Sequence, residues 1–165
     1  TFSRLSASVE DMMRFLSGGD CEVFQGFGWN PEWSSFKHFS SGFYLMRMDN
    51  GVHAAYEGNS SAAGITSCWH KEYYRLEFEG GTVEIGAGDE GRITRVGQEL
   101  EVYQAPALEH TGHEYQLQEF VDWLEGGPAS ATRIEDNLQS FALVIAAMET
   151  TEDGSPKRIA DYLEG

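Results

Sequence analysis

The stretch Tyr74-Arg75-Leu76-Glu77-Phe78-Glu79-Gly80-Gly81-Thr82-Val83-Glu84-Ile85 decides the fold class. Leu76 and Phe78 alternate with Arg75, Glu77 and Glu79, the period-two pattern of a strand with one apolar and one wetted face. Glu79-Gly80-Gly81 tolerates the positive φ of a tight turn, so Thr82 to Ile85 runs back antiparallel to what precedes it. The same texture holds from Cys21 to Tyr103: short runs rich in Val, Phe, Tyr, Trp and Thr, broken by turn residues, with Asp49-Asn50-Gly51 as a second hairpin signal. Strands are predicted over 22–28, 42–48, 52–57, 66–79, 82–85, 92–96 and 99–103. In the last, Leu100 and Val102 read as the apolar face.

The flanks are helical. Val9, Met12, Met13 and Leu16 fall at i, i+3, i+4 and i+7, predicting a helix over 8–17 that Gly18-Gly19 ends. Thr111-Gly112-His113-Glu114 reads as a capping box before the stripe Leu117, Phe120, Val121 and Leu124. Thr132-Arg133-Ile134-Glu135 repeats the box before Leu138, Phe141, Ala142, Ile145 and Met148. Strands grouped in the middle with helices at both ends give an α+β fold, an open, largely antiparallel sheet with helices packed on one face. A single α+β domain over 1–165 is expected, with no nucleotide-binding domain.

The charge balance excludes partners more readily than it selects one. Eleven Lys and Arg against 27 Asp and Glu leave the 165-residue chain at −16, so nucleic acid and an anionic membrane surface would be repelled over most of the surface. With 41% hydrophobic residues there is enough apolar surface for a core. Cys21 and Cys68 could make one bridge at most and read as free thiols of a soluble, cytoplasmic protein.

Three motifs carry possible chemistry. Gly86-Ala87-Gly88-Asp89-Glu90-Gly91 matches the dinucleotide-binding glycine pattern, but that fingerprint needs its third glycine to open a helix. Here Arg92-Ile93-Thr94-Arg95 follows without a helical stripe, and Asp89-Glu90 would face the phosphates, so a hairpin loop is expected instead. Glu109, His110, His113 and Glu114 gather imidazoles and carboxylates that could ligate metal or move protons, although the spacing is not that of the helical zinc motif. Helix capping and solvation explain them as well. Cys68-Trp69-His70 is weaker, because adjacent strand residues point to opposite faces. The aromatic loop 30–41, with Trp33, Lys37 and His38, could line a cleft for a sugar or polyol ring. No serine-hydrolase elbow and no phosphate-binding Gly-Lys-Ser/Thr loop occurs.

Five pieces, taken in order, resemble the C-terminal domain of the glucose-fructose oxidoreductase / inositol dehydrogenase / MocA family of NAD(P)-dependent oxidoreductases. They are Val9 to Gly18; Met48-Asp49-Asn50-Gly51-Val52; Tyr74 to Ile85; Gln118-Glu119-Phe120 through Gly126-Gly127-Pro128 with Asp136-Asn137-Leu138 and an Ala-rich helix; and Gly154-Ser155-Pro156-Lys157-Arg158-Ile159. The resemblance implies a dihydrodipicolinate reductase-like α+β domain whose open sheet face makes the oligomer contact. It also implies a sugar or polyol substrate and an N-terminal Rossmann domain that holds NAD or NADP. That domain, with its Lys-Pro dipeptide, is absent from these residues, so the chain by itself is expected to be inactive and without cofactor. Hydride transfer needs the nicotinamide held against the carbinol carbon.

The family's first helix of this domain carries Gly-x-His-x-x-Asp. Laid onto this chain, Asp11 matches the Asp and Ser8 stands where the His would be. A serine cannot take a proton near neutral pH without a partner base. The resemblance thus marks Asp11 and Ser8 as the catalytic candidates and Trp33, His38, His110 and His113 as substrate contacts, with no metal ligand. Ser8 as N-cap with Asp11 as its reciprocal partner reads equally well. A non-enzymatic dimerisation or interaction module using the exposed sheet face is the alternative function.

Overall fold

A computed structural model describes residues 7–62, 64, 72–86 and 90–163, with backbone alone over 7–10. In chain order the elements are α1 (Ala7–Ser17), β1 (Cys21–Trp29), β2 (Ser41–Met48), β3 (His53–Asn59), β4 (Tyr74–Phe78), β5 (Gly81–Ile85), β6 (Glu90–Arg95), β7 (Glu101–Gln104), α2 (Gly112–Leu124), α3 (Ile134–Asp153), β8 (Lys157–Arg158) and a closing 3-10 turn (Ile159–Tyr162). They fall into two compact units, one within Thr1–Ala62 and Gln116–Gly165, the other within Ala63–Tyr115.

In the first unit the sheet order is β3-β2-β1-β8, with antiparallel neighbours throughout. The hairpin between β2 and β3 closes through Met48 N–H to the Val52 carbonyl at 2.8 Å. A register shift between Cys21 and Val23 changes the parity of β1, so Cys21 and Phe24 both face inward although they are three positions apart. Phe24, Tyr44, Met46 and Met48 form the sheet's side of the core, and Ala142, Leu143, Ala146 and Ala147 form the helix's side. The three alanines let α3 lie close on the strands. The approach is closest at Gly28, where an added Cβ would come within 2.6 Å of Thr151 Cγ2. The Tyr44 hydroxyl shares a 3.1 Å hydrogen bond with that of Thr151, which gives a buried aromatic its polar partner. Helix α1 lies beside α3, and Met13 packs against the core. Gly154, in the left-handed region at φ 72°, ends α3 and donates to the Thr150 carbonyl.

The second unit holds an antiparallel sheet of order β4-β5-β6-β7. Its register puts Leu76, Val83 and Ile93 in one row and Arg75, Glu84 and Arg92 with Val102 on the opposite face. One face is apolar and the other charged, as the alternation over 74–85 requires.

The α+β class and the antiparallel strands agree with the sequence, and the strands divide into two four-stranded sheets. Several details differ. The strand expected over 66–79 is Tyr74–Phe78, and residues 65–71 lie outside the described set. On β7, Tyr103 shares the row of Ile85 and Gly91, so the apolar face there is Tyr103's and not Val102's. Thr132 is no cap: α3 starts at Ile134, and Asn137 reaches back to the carbonyls of Thr132 and Arg133 at 2.8 and 3.1 Å. The buried face of α3 is that of Ala142, Leu143, Ala146 and Ala147, while Leu138, Phe141 and Met148 stay exposed. No α2 side chain is buried, because α3 with α1 beside it takes up the inner face of the first sheet. Among the described residues no helix is long and apolar enough to cross a membrane.

Truncating Leu143→Ala should lower the unfolding free energy by about 2–5 kcal/mol in a urea titration, the cost of a buried cavity. Truncating Phe27→Ala, whose ring stands on the outer sheet face, should change it by no more than about 0.5 kcal/mol.

Candidate functional site

Asp11 sits on α1 in a cluster centred on Arg14, whose side chain is only 10% exposed. The guanidinium Nη1 donates to Asp11 Oδ1 at 3.0 Å, to Ser140 Oγ at 3.0 Å and to the Asp136 carbonyl at 3.2 Å. Nε donates to Asp20 Oδ1 at 2.7 Å, and Nη2 to Asp136 Oδ1 at 3.1 Å. Ser140, fully buried, donates its hydroxyl to Asp11 Oδ1 at 2.9 Å. Burial works against the charge on Arg14, but hydrogen bonds to Asp136 and Asp20 outweigh it, and the guanidinium pKa is raised. The planar fork explains the choice of arginine: a lysine could not bridge three carboxylates and a hydroxyl in fixed directions.

The consequence for Asp11 is orientation. Its Oδ1 carries two donors, whereas its Oδ2 takes no hydrogen bond from any described residue on a side chain that is part exposed. One oxygen is held, and among the described residues the other has no donor. Ser8 lies within α1, and its side chain lies outside the described set. Asp11 Oδ1 is taken by Arg14 and Ser140.

Trp33 and His38 occupy the loop between β1 and β2, in the same unit. Trp33 Nε1 donates to the Ser61 carbonyl at 2.8 Å, and Asn30 Nδ2 to the Phe36 carbonyl at 2.7 Å. Ser40 Oγ donates to Asn30 Oδ1 at 2.8 Å. The loop is thus braced by its own polar groups, with Trp33 and His38 exposed. Among the described residues no hydrogen bond or ion pair joins either of them to Asp11.

His110 and His113 belong to the second unit. His110 Nδ1 lies 3.1 Å from Glu114 Oε1, within ion-pair reach when the ring is protonated, but without hydrogen-bond alignment. Among the described residues no group of three or more His, Cys, Asp or Glu could hold a metal ion. The triplet Cys68-Trp69-His70 lies outside the described residues. Of the glycine motif, residues 87–89 also lie outside, but its flanks are strands β5 and β6, paired antiparallel with Ile85 opposite Gly91. The third glycine lies in a strand and no helix follows it, so a pyrophosphate would find no helix N-terminus there. The described residues of this motif do not fit a dinucleotide.

One polar cluster escaped the sequence reading. Glu149, Pro156, Lys157, Arg158, Asp161 and Tyr162 line a shallow open depression. The largely buried Lys157 pairs with Asp153, and the Tyr162 hydroxyl donates to Glu149 Oε2 at 2.6 Å. Burial, and then Glu149, push the Tyr162 phenol up, away from any role as a base. The Lys157 ammonium, helped by the Ser155 N–H and hydroxyl, holds the Asp153 carboxyl down at about 2. Only the four-residue spacing of Glu149, Asp153 and Lys157 could have signalled it, since β8 is two residues long.

No family model matches the chain. It is 32% identical over 165 residues to the uncharacterized protein y4oX of Sinorhizobium fredii (strain NBRC 101917 / NGR234), a match that takes in 93% of this chain and 45% of that one. The fold is that of an oxidoreductase from Agrobacterium radiobacter solved with NAD+, L-tartaric acid and magnesium. There the TM-score is 0.82 at 20% identity, over 98% of this chain and 49% of the other. It is also similar to levoglucosan dehydrogenase solved with NADH and levoglucosan, with TM-score 0.77 at 13% identity over 96% and 50%. Aldose-aldose oxidoreductase from Caulobacter crescentus, solved with glycerol, gives TM-score 0.76 at 14% identity over 92% and 45%. The chain thus spans about half the length of the proteins it matches.

Two measurements check this geometry. Replacing Arg14→Leu leaves three carboxylates and a buried hydroxyl without their donor; with those carboxylates part exposed, urea unfolding should show a loss of about 1–3 kcal/mol. A depressed carboxyl contributes stability that is fully present above its ordinary value and is lost as pH falls through the folded one. The Asp153 carboxyl should therefore titrate by NMR near 2, and Lys157→Met should return its midpoint towards 3.8.

Proposed function

We propose that this chain is the substrate-binding and oligomerising half of an NAD(P)-dependent oxidoreductase of the glucose-fructose oxidoreductase / inositol dehydrogenase / MocA type. Its substrate is a sugar, polyol or related hydroxyl compound, and the nucleotide-binding half lies in polypeptide beyond these 165 residues. The observation that carries the reading is the fold match over 92–98% of this chain to oxidoreductases about twice its length. The ordered motifs from Val9 to Ile159 support it independently. Because the only glycine fingerprint sits in an antiparallel hairpin, NAD or NADP belongs to the other half, and the isolated chain is inactive.

Within the chain, Asp11 with Ser8 is assigned to the proton-handling end of the substrate, and Trp33, His38, His110 and His113 to substrate contact. The Asp11 geometry suits the first role: with Oδ1 fixed by Arg14 and Ser140, Oδ2 can accept from a substrate hydroxyl in one direction. The outer face of the first sheet supports self-association, because Phe27 pairs with Phe43, and Gln25 pairs with Leu45, which in turn pairs with Ala55. Phe27, Phe43 and Leu45, at 68%, 42% and 56% exposure, make a small apolar patch at the β1 edge of that face, bordered by Gln25 and Glu57, of the sort that marks protein contacts. The same patch favours the second reading, a non-enzymatic dimerisation module.

Two tests separate these readings. The full-length polypeptide should enhance NADH fluorescence and reduce NAD+ or NADP+ with a panel of sugars and polyols, whereas the 165-residue chain should do neither. Asp11→Asn in the full-length protein should lower kcat/KM at least about tenfold. A full-length protein that binds no nicotinamide dinucleotide would leave only the dimerisation module. In sedimentation, Leu45→Glu should turn an oligomer into a monomer, and an unaltered parent that is already monomeric contradicts the sheet-face contact.

A further inference from the structure

Ser140 of α3 is fully buried, and its hydroxyl hydrogen has one direction left to it. A serine inside a helix can turn its hydroxyl back to the carbonyl four residues earlier, which here is that of Asp136. That carbonyl already accepts from Arg14 Nη1 at 3.2 Å. The same nitrogen donates to Ser140 Oγ at 3.0 Å, so the oxygen turns a lone pair to the guanidinium and its hydrogen goes to Asp11 Oδ1, 2.9 Å away. Arg14 Nη1 meets Oδ1 as well, at 3.0 Å. Two hydrogens therefore point at one oxygen of Asp11, and Arg14 fixes the direction of both.

We propose that Ser140 and Arg14 are positioning residues that confine the proton taken from the substrate to Oδ2 of Asp11. The inference rests on the reading given under Proposed function, in which Asp11 handles that proton, and adds which oxygen receives it and what decides the choice. When an alcohol is oxidised, the carbinol C–H bond breaks with its electron pair passing as hydride to NAD+ or NADP+ on the other half. The C=O bond forms, the O–H bond breaks, and the hydroxyl proton passes to the carboxylate. Oδ1 is closed to it while both donors stay in place. Arg14 has no accepting atom, and the Ser140 hydroxyl would have to turn to a carbonyl that Arg14 already occupies. Oδ2 takes no hydrogen bond from any described residue, on a side chain that is 44% exposed. The guanidinium does not yield either, because Asp20 and Asp136 hold it from two further sides. Without the Ser140 hydroxyl, Oδ1 is left with one donor and competes for the proton, so the carboxylate meets the substrate in more than one orientation. Such misalignment slows the chemical step more than it weakens binding.

The test is a double-mutant cycle in the full-length polypeptide, assayed with NAD+ or NADP+ against D-glucose, D-xylose, myo-inositol and glycerol. Ser140→Ala, a small change that suits a helix, should lower kcat about tenfold and leave KM within about twofold. Arg14→Lys keeps the charge but loses the planar fork, and it should shift kcat in the same way; it carries the comparison if Ser140→Ala does not fold. In an Asp11→Asn background neither substitution should lower kcat by more than about twofold, because the carboxylate they orient is gone. A merely structural role predicts the opposite, losses that multiply with that of Asp11→Asn, and that result overturns the proposal. Parental kcat in Ser140→Ala overturns it too. If Asp11→Asn lowers kcat while Ser140→Ala does not, the positioning fails and the functional reading stands. If Asp11→Asn is as active as the parent, the proton goes to another group and the proposal falls, with the oxidoreductase reading intact. A full-length protein that oxidises none of the four with either dinucleotide and binds no NADH ends both.

Discussion

The first unit depends on the seating of α3 against β1 and β2. That contact is possible because the helix presents alanines at 142, 146 and 147, while the strands present Gly26, Gly28 and Gly42 among large residues. Phe24 and Tyr44, 5.1 Å apart between ring centroids, fill the space that the small residues leave. A buried interface built in this way is sensitive to volume on both sides. Thr150 and Thr151 add polar ties, from the Gly26 N–H and to the Tyr44 hydroxyl, at the end of the helix where the core thins.

Arg14 fixes α1 to that frame. It reaches across to Asp136 and Ser140 on α3 while also holding Asp11 and Asp20 from its own side. The position of Asp11 is therefore inherited from the α3 packing through one guanidinium. This couples the best candidate site to the core: a carboxylate whose open oxygen points in a set direction is useful for a substrate hydroxyl only if the helix beneath it does not move. The glycine-rich segment that imitates a dinucleotide cradle in sequence runs, in its described residues, into the antiparallel strands β5 and β6, with Ile85 opposite Gly91 and no helix opened by its third glycine.

Much of the fold was legible because period and turn chemistry agreed locally. The hairpin at Gly80-Gly81, the turn at Asn50-Gly51 and the helix before Gly18 all came from residues whose backbone preferences coincide with their neighbours' pattern. Failures arose where tertiary contacts decide. On α3 both stripes are apolar, and the larger side chains of Leu138, Phe141 and Met148 look like the core; yet the sheet can only accept the alanine face. The capping signal at Thr132 was local chemistry overruled by a start at Ile134. Arg14 was invisible as a site residue, because its partners are as far away as Asp136 and Ser140 in sequence, and no spacing rule connects them. Asp11 was marked only by resemblance, and the bonds that orient it are non-local too.

The most direct measurement is a crystal structure of the full-length polypeptide grown with NADH and a bound polyol or sugar. If this chain is the substrate half, the nicotinamide dinucleotide lies on the other half, and a ligand hydroxyl stands within hydrogen-bond distance of Asp11 Oδ2. A dinucleotide lodged on the loop between Gly86 and Gly91, or a ligand bound away from α1 altogether, would contradict it.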